Sequence, residues 1–421
     1  MVHQISLSQV HKKITVNWRF YLLICVVAFV ILGSRQPDRI LNAQFWAEDG
    51  TIFYANAYNL GCLNSLFLPY AGYLSIAQRL GASFLQIFPL AWAPFISNLI
   101  ALSIQILPVM LVISARFAEL IPKLPIRLLL AFIYLTLPNA SEIHANLANS
   151  QWYLALLACL VILAKPSPIL GWRIFDLSII LLSALSGPFS ILLIPISVIY
   201  WRLRRNRWTV FLILGLAIGA VAQGITILVN SGTARHVAAL EFSPFLLIKI
   251  LTGQVFLGAL IGEKGYGRFN SLPANYSGLT VLIAVLGLIV LLYSLLKGPL
   301  ELRMFIIYGA LIFLAALVAP TVPWSLLWQP GAATRYWFMP ILAFVASLIW
   351  VACQQRFQWL QIIATLMLVT MSIGIGLDWQ HSPLVDFGFK KYVSQFEHSP
   401  QGTKMSIPIN PAGWSMELIK H

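Results

Sequence analysis

The stretch RLRRNRWTVFLILGLAIGAVAQGITILVN, residues 202–230, decides what kind of protein this is. Arg202, Arg204, Arg205 and Arg207 stand directly before an apolar run, Trp208 to Asn230, that carries no charged side chain. A helix rises about 1.5 Å per residue, so a run of this length covers the roughly 30 Å hydrocarbon core of a bilayer. Arginines gathered at one end of such a run mark the side that stays inside.

Similar runs extend outward from it in both directions, at about 18–33, 93–114, 126–138, 150–165, 174–187, 188–201, 277–296, 303–319, 336–353 and 358–377. The chain is 59% hydrophobic and only 10% charged, with a mean hydropathy of +0.84. Soluble domains carry about 25% charged residues, so this chain cannot cover a water-facing surface. The expectation is an all-α, polytopic transmembrane helix bundle of about eleven spans, with 1–377 as a single integrated domain. His11, Lys12, Lys13 and Arg19 flank the first run, which reads as an uncleaved signal anchor. Gly187-Pro188 either separates two short spans or marks one broken pair. The run 244–262 carries Lys249 and Gly253 and reads as re-entrant or interfacial.

Charge sets the orientation. With the N-terminus inside, the inner segments hold 15 of the 27 basic and 3 of the 13 acidic residues. That asymmetry places the N-terminus in the cytoplasm and the C-terminus outside, in a bacterial plasma membrane. Counting 244–262 as a span would invert Lys297, Arg303 and Arg356 to the outer side. The net charge of +14 therefore lies mainly in short inner loops, beside lipid, and gives no support for nucleic acid as a partner. Cys25, Cys62, Cys159 and Cys353 form no C-x-x-C pair, and three of them lie in apolar runs, which supports neither a disulfide framework nor a zinc site.

Chemistry then belongs to the outer segments: a long first extracytoplasmic loop at 34–92, loops at 138–150, 231–276 and 320–335, and a short tail at 378–421. The first loop holds Phe45-Trp46-Ala47-Glu48-Asp49-Gly50. Trp46, Phe53, Ala57 and Leu60 fall on one helical face, with Glu48, Asp49, Asn56 and Asn59 broadly opposite. That pattern predicts a helix lying on the membrane surface with its carboxylates raised toward a cavity. Such a pair can act as a general base or hold a divalent cation. Acids at a helix N-terminus also simply favour the dipole. Tyr70 and Tyr73 read either as an interfacial belt or as the lining of a sugar site, and Arg79 as a phosphate contact. Glu142, His144, Asn146 and Asn149 crowd the second loop and predict a polar cavity lining. Arg335, followed by Tyr336, suits a phosphate through bidentate donors or else snorkels to the interface. Arg235, His236, Lys264 and Arg268 carry the same ambiguity.

In this layout the chain resembles the GT-C superfamily of membrane glycosyltransferases. The resemblance implies that the acidic motif Glu48-Asp49 is catalytic, that Glu142 is a second acidic position, and that Arg335 meets the donor phosphate. It implies transfer from a polyprenyl-phosphate sugar, with Asp49 as base, and the small region after the last span implies a lipid-linked or surface-glycan acceptor. The strings Trp46-Ala47-Glu48-Asp49-Gly50, Pro69-Tyr70-Ala71-Gly72-Tyr73 and Gly187-Pro188-Phe189 also resemble a group of uncharacterised bacterial membrane proteins. Two other functions fit the same residues: a carrier or flippase for a lipid-linked or anionic glycan precursor, and a surface polysaccharide polymerase or ligase.

Overall fold

The computed structural model of the chain describes residues 18–230, 237–238, 242–271, 277–354 and 356–421. His11, Lys12, Lys13, Arg235 and His236 lie outside the described residues. The apolar runs form helices close to the expected bounds, and further helices lie in segments read as loop or tail: α1 (Trp18–Arg35), α2 (Ile76–Leu85, in the first loop), α3 (Ala93–Ile113), α4 (Leu124–Leu135), α5 (Ser150–Leu163), α6 (Leu170–Ala184) and α7 (Phe189–Arg204). They continue with α8 (Arg207–Val229), α9 (Pro244–Asn270), α10 (Ser277–Lys297), α11 (Leu300–Val318), α12 (Phe338–Ala352), α13 (Gln358–Leu377) and α14 (Phe389–Glu397).

Seven of the described helices are long and apolar enough to cross a membrane, among them α9, which the sequence reading set aside as re-entrant or interfacial, and α4, α5 and α12 are shorter apolar helices. The protein is a multi-pass, predominantly helical membrane protein. Helices α5 and α12 are apolar on every face and are buried almost throughout, as the centre of a bundle requires. Helix α8 instead exposes Phe211, Leu214, Ile218, Val221 and Ile225 at helical spacing. A one-sided row of that kind belongs against hydrocarbon. Between α6 and α7 the chain reverses at Gly187, where φ is 135°. A side chain there would meet Gln151 Oε1 at 2.8 Å, so glycine is needed both for the turn and for the space.

The two ends of the bundle differ in charge chemistry. One is basic: Arg116 pairs with the buried Asp176 at 2.5 Å, Arg204 with Glu301 at 2.5 Å, and Lys165 with Glu119. At the other end, Arg35 donates to the carbonyls of Leu135 (3.1 Å), Leu137 (3.0 Å) and Asp378 (3.3 Å). A buried guanidinium thus satisfies carbonyls left open where α4 and α13 terminate.

Helix α9 lies along this second end. Lys249 stands over the Trp328 ring, 3.1 Å from its centroid, while the Tyr266 hydroxyl donates to the Trp328 carbonyl at 2.6 Å. Residues so far apart in sequence reach one tryptophan because the helix breaks at Gly262, whose φ is 73°. The Asp378 carboxylate fills the space beside Gly262 and accepts from the amides of Glu263 (2.6 Å), Lys264 (3.1 Å) and Asn139 (2.9 Å).

The segment read as a tail is folded. Strands β1 (Lys404–Ile409) and β2 (Trp414–Ile419) form an antiparallel hairpin with Lys404 opposite Ile419. Its apolar face (Ile407, Ile409, Met416 and Leu418) shares a core with Phe389, Val393 and Phe396 of α14 and with Phe45, Tyr54 and Leu85. The alternation in 404–409 is too short to read as a strand without that partner face.

Removing the Asp378 carboxylate should leave three amides without their acceptor at a nearly buried position. We expect Asp378→Ala to destabilise the protein by about 3 kcal/mol, the usual cost of breaking such a buried node. Thermal unfolding in detergent, followed by tryptophan fluorescence, would read this as a lower midpoint.

Candidate functional site

At the end opposite the basic pairs, the first loop, the second loop, the turn before α12 and the C-terminal hairpin enclose a cavity of about 1030 Å³. The acidic motif sits on a widened helical turn with i→i+5 bonding, Asp49–Tyr54, continuing into Ala55–Leu60. Its entry is fixed by the hairpin: Ala47 N–H donates to the Asn410 carbonyl at 2.5 Å, and Asn410 N–H to the Phe45 carbonyl at 3.1 Å. Behind the motif, Thr51 Oγ1 donates to the Ser415 carbonyl, and Asn59 bonds the backbone of Glu417 and Ile419, each at 2.9 Å. A side chain at Gly50 would lie 2.9 Å from Ile409 and 3.0 Å from Phe45, so the glycine of the motif lets the hairpin close on it.

This geometry sends the two neighbouring carboxylates to different places. Glu48 lines the cavity and accepts from the Tyr70 hydroxyl at 3.2 Å. Asp49 is only 2% exposed. Its oxygens accept from the amides of Leu147 (3.0 Å) and Ala148 (2.6 Å), which ties the first loop to the second. Burial pushes the Asp49 carboxyl up to about 7, against the opposing pull of the two amides and of Arg39. Arg39, itself buried, lies with its guanidinium 5.0 Å from the Trp46 ring centroid, and burial draws it down to about 10.

The second loop is built on amides satisfied by side chains from elsewhere. Asp378 takes Asn139 N–H, Thr334 Oγ1 takes Glu142 N–H (3.3 Å), Gln105 Oε1 takes Ala145 N–H (3.4 Å), and Asp49 takes the next pair. Asn146 holds the loop from within, donating to the carbonyls of Glu142 (2.8 Å) and His144 (3.3 Å) and accepting from Asn149 N–H (2.9 Å). Glu142 and Asn149 line the cavity, as do Arg335 and Tyr336. The Arg335 guanidinium is paired with Glu142, and Arg335 N–H donates to the same carboxylate at 3.1 Å.

Of the residues singled out in sequence, Glu48, Tyr70, Tyr73, Glu142, Asn149, Arg335 and Tyr336 meet around this one cavity. Asp49, Arg79, His144 and Asn146 stand behind its wall. Arg79 is 1% exposed and packs its guanidinium over Phe53, 5.3 Å from the ring centroid. His144 is equally buried, with its ring 4.7 Å from that of His381, and burial beside this second histidine holds it well below the usual range. Lys264 donates to the Gln380 carbonyl at 2.8 Å and supports the wall rather than lining it. Among the described residues, no group of three or more His, Cys, Asp or Glu is arranged to hold a metal.

Sequence reasoning did not single out Gln151, Trp152, Pro411 and Trp414, which also line the cavity. Trp152 is nearly buried, and its indole N–H has no partner among the described residues. Gln223, fully buried within α8, was also missed. It accepts from Leu74 N–H at 2.8 Å and donates to the Leu74 carbonyl at 3.1 Å, anchoring the turn that carries Tyr70 and Tyr73. A lone amide inside a span was its available signal. The hairpin residues had none. No protein-family model matches the chain, and no curated protein matches it.

The Asp49 environment has a pH consequence. The folded protein keeps this proton to about pH 7, whereas the unfolded chain releases it near pH 4. Stability should therefore fall as pH rises between those values and level off above about 7, losing roughly 2–3 kcal/mol between pH 5 and 7. Unfolding midpoints across that range should show this slope in wild type and a much flatter line in Asp49→Asn. An identical slope in both would assign the dependence to another group.

Proposed function

We propose that the protein is a glycosyltransferase of GT-C type that moves a sugar from a polyprenyl-phosphate donor to a glycan or lipid-linked acceptor. One observation carries this reading: the cavity holding Glu48 and Arg335 continues without a break to apolar side chains of α7, α8 and α11, including Leu192, Ile227, Ile312 and Ala316. A ligand with an anionic head and a long apolar tail matches that polarity along its length. About eleven crossings, with the cytoplasm at the basic end, would place the cavity on the outer face. The contacts of both halves of α9 with Trp328 support its reading as a re-entrant segment.

The proposed step is a single displacement. A Glu48 carboxylate oxygen takes the proton of the acceptor hydroxyl, whose oxygen attacks the anomeric carbon. The bond from that carbon to the phosphate oxygen breaks, and the lipid phosphate leaves with the bonding pair. Arg335 stabilises the charge that develops there, and the Trp152 indole N–H supplies a further donor in the cavity. Proton abstraction is assigned to Glu48 rather than Asp49 because Glu48 lines the cavity, whereas Asp49 already accepts two amides. Asp49 then acts as a positioning residue. Tyr70, Tyr73, Trp46 and Trp414 offer ring faces and hydroxyls suited to pyranose rings.

The test is transfer in liposomes from a panel of radiolabelled polyprenyl-phosphate sugars to native membrane lipids and glycans. Glu48→Gln should lower turnover by about 10²–10⁴-fold with the protein folded. Arg335→Ala should lower it by about 10²–10³-fold. If no donor is turned over, and labelled glycan lipid crosses the bilayer equally well with Glu48→Gln, a carrier function replaces this one.

A further inference from the structure

A second cavity, of about 460 Å³, opens toward the basic end and is lined almost wholly by apolar side chains. Its position follows from helix length. Helices α4, α5 and α12 have 12, 14 and 15 residues and all three line it. At about 1.5 Å per residue they reach roughly 18–23 Å, short of the ~30 Å hydrocarbon core. Their opposite ends are held at the site end: Arg35 takes the carbonyl of Leu135, the last residue of α4, and that of Leu137 just beyond it, the Tyr153 hydroxyl of α5 donates to the Ile143 carbonyl at 3.1 Å, and the Trp337 indole N–H, just before α12, donates to the Ala332 carbonyl at 2.9 Å. The shortfall therefore appears at the basic end, as a recess walled by residues such as Leu130, Leu160 and Ala346.

An apolar recess beside hydrocarbon does not hold water, which needs polar partners. What fills it is indicated by the rim. Lys123 lines the cavity and is exposed. The one acid in the lining, Glu301, is already engaged by Arg204 at 2.5 Å and by the Tyr200 hydroxyl at 3.2 Å. The rim thus presents a cation above an apolar slot, at the end where Arg202, Arg205 and Arg207 also lie.

We propose that this recess is a binding site for a phospholipid with an anionic headgroup. One acyl chain completes the core beneath the short helices, and the phosphate lies against Lys123. The lipid is a structural ligand of the bundle, separate from any donor bound at the other end, and the inference stands whether or not the chain transfers sugars. A stretch shorter than the bilayer core is ordinarily accommodated by thinning of the bilayer or snorkelling of flanking residues; here the shortfall lies within the bundle, where an acyl chain can fill the recess it leaves.

The experiment uses the full chain in detergent, exposed to equal amounts of phosphatidylglycerol and phosphatidylcholine with identical acyl chains. Lipid retained after washing is counted by native mass spectrometry. Wild type should hold one phosphatidylglycerol with about a fivefold preference, the order of effect of one lysine at an anionic headgroup. Lys123→Glu, a surface change that leaves the core intact, should abolish the preference while some lipid is still retained. Ala346→Phe, which fills the recess, should retain neither lipid. Absence of headgroup preference in wild type, a preference that survives Lys123→Glu, or displacement of phosphatidylglycerol by polyprenyl phosphate would each overturn the proposal. If Ala346→Phe fails to fold, the Lys123→Glu comparison decides alone.

Discussion

The carboxylate of Asp49, closed off from solvent and held by the amides of Leu147 and Ala148, is the contact on which the site end of this protein depends. It joins two loops that are far apart in sequence and gives neither of them freedom to move alone. Its neighbour is oriented as a consequence: with Asp49 turned inward, Glu48 faces the cavity beside Tyr70. Backbone strain accompanies the arrangement, since Ala47, Asn139 and Ala145 all adopt positive φ without being glycine. Such conformations persist where surrounding contacts over-determine them, and here the surrounding contacts belong to the proposed reaction site.

The reason lies in the backbone. Irregular chain at the end of a membrane bundle has few helical partners, and each buried N–H must still be satisfied. In the second loop those partners come from Asp378, Thr334, Gln105 and Asp49, on four separate segments. The loop is consequently a hub: it collects α13, the turn before α12, α3 and the first loop into one wall. The hairpin at 404–419 extends the same logic, pairing its tip with Phe45 and Ala47 and bringing Trp414 to the cavity.

Much of the helical layout was legible in the sequence because a span is a local property. A run such as 208–230 needs no distant partner to be recognised, and the arginines before it are orientation cues by themselves. The meeting of Glu48, Glu142 and Arg335 was legible in outline, since costly polar residues in an apolar chain must congregate. Which member of an adjacent pair faces the cavity was not. Glu48 and Asp49 have the same chemistry, and their separation depends on amides nearly a hundred residues away. His144 and Arg79 invited functional roles for their chemical type, yet both are packed against rings behind the wall.

From sequence alone came the membrane, the helices and the asymmetry of charge between their ends, because hydrophobicity and charge act residue by residue against the bilayer. Only tertiary structure decided that residues 404–419 fold as a hairpin, that α9 bends back at Gly262, and that Asp49 is enclosed. Each of these depends on long-range partners: an apolar face supplied by Phe45 and Tyr54, a carboxylate supplied by Asp378, and two amides supplied by the second loop. No local pattern encodes a partner that the chain reaches only after folding.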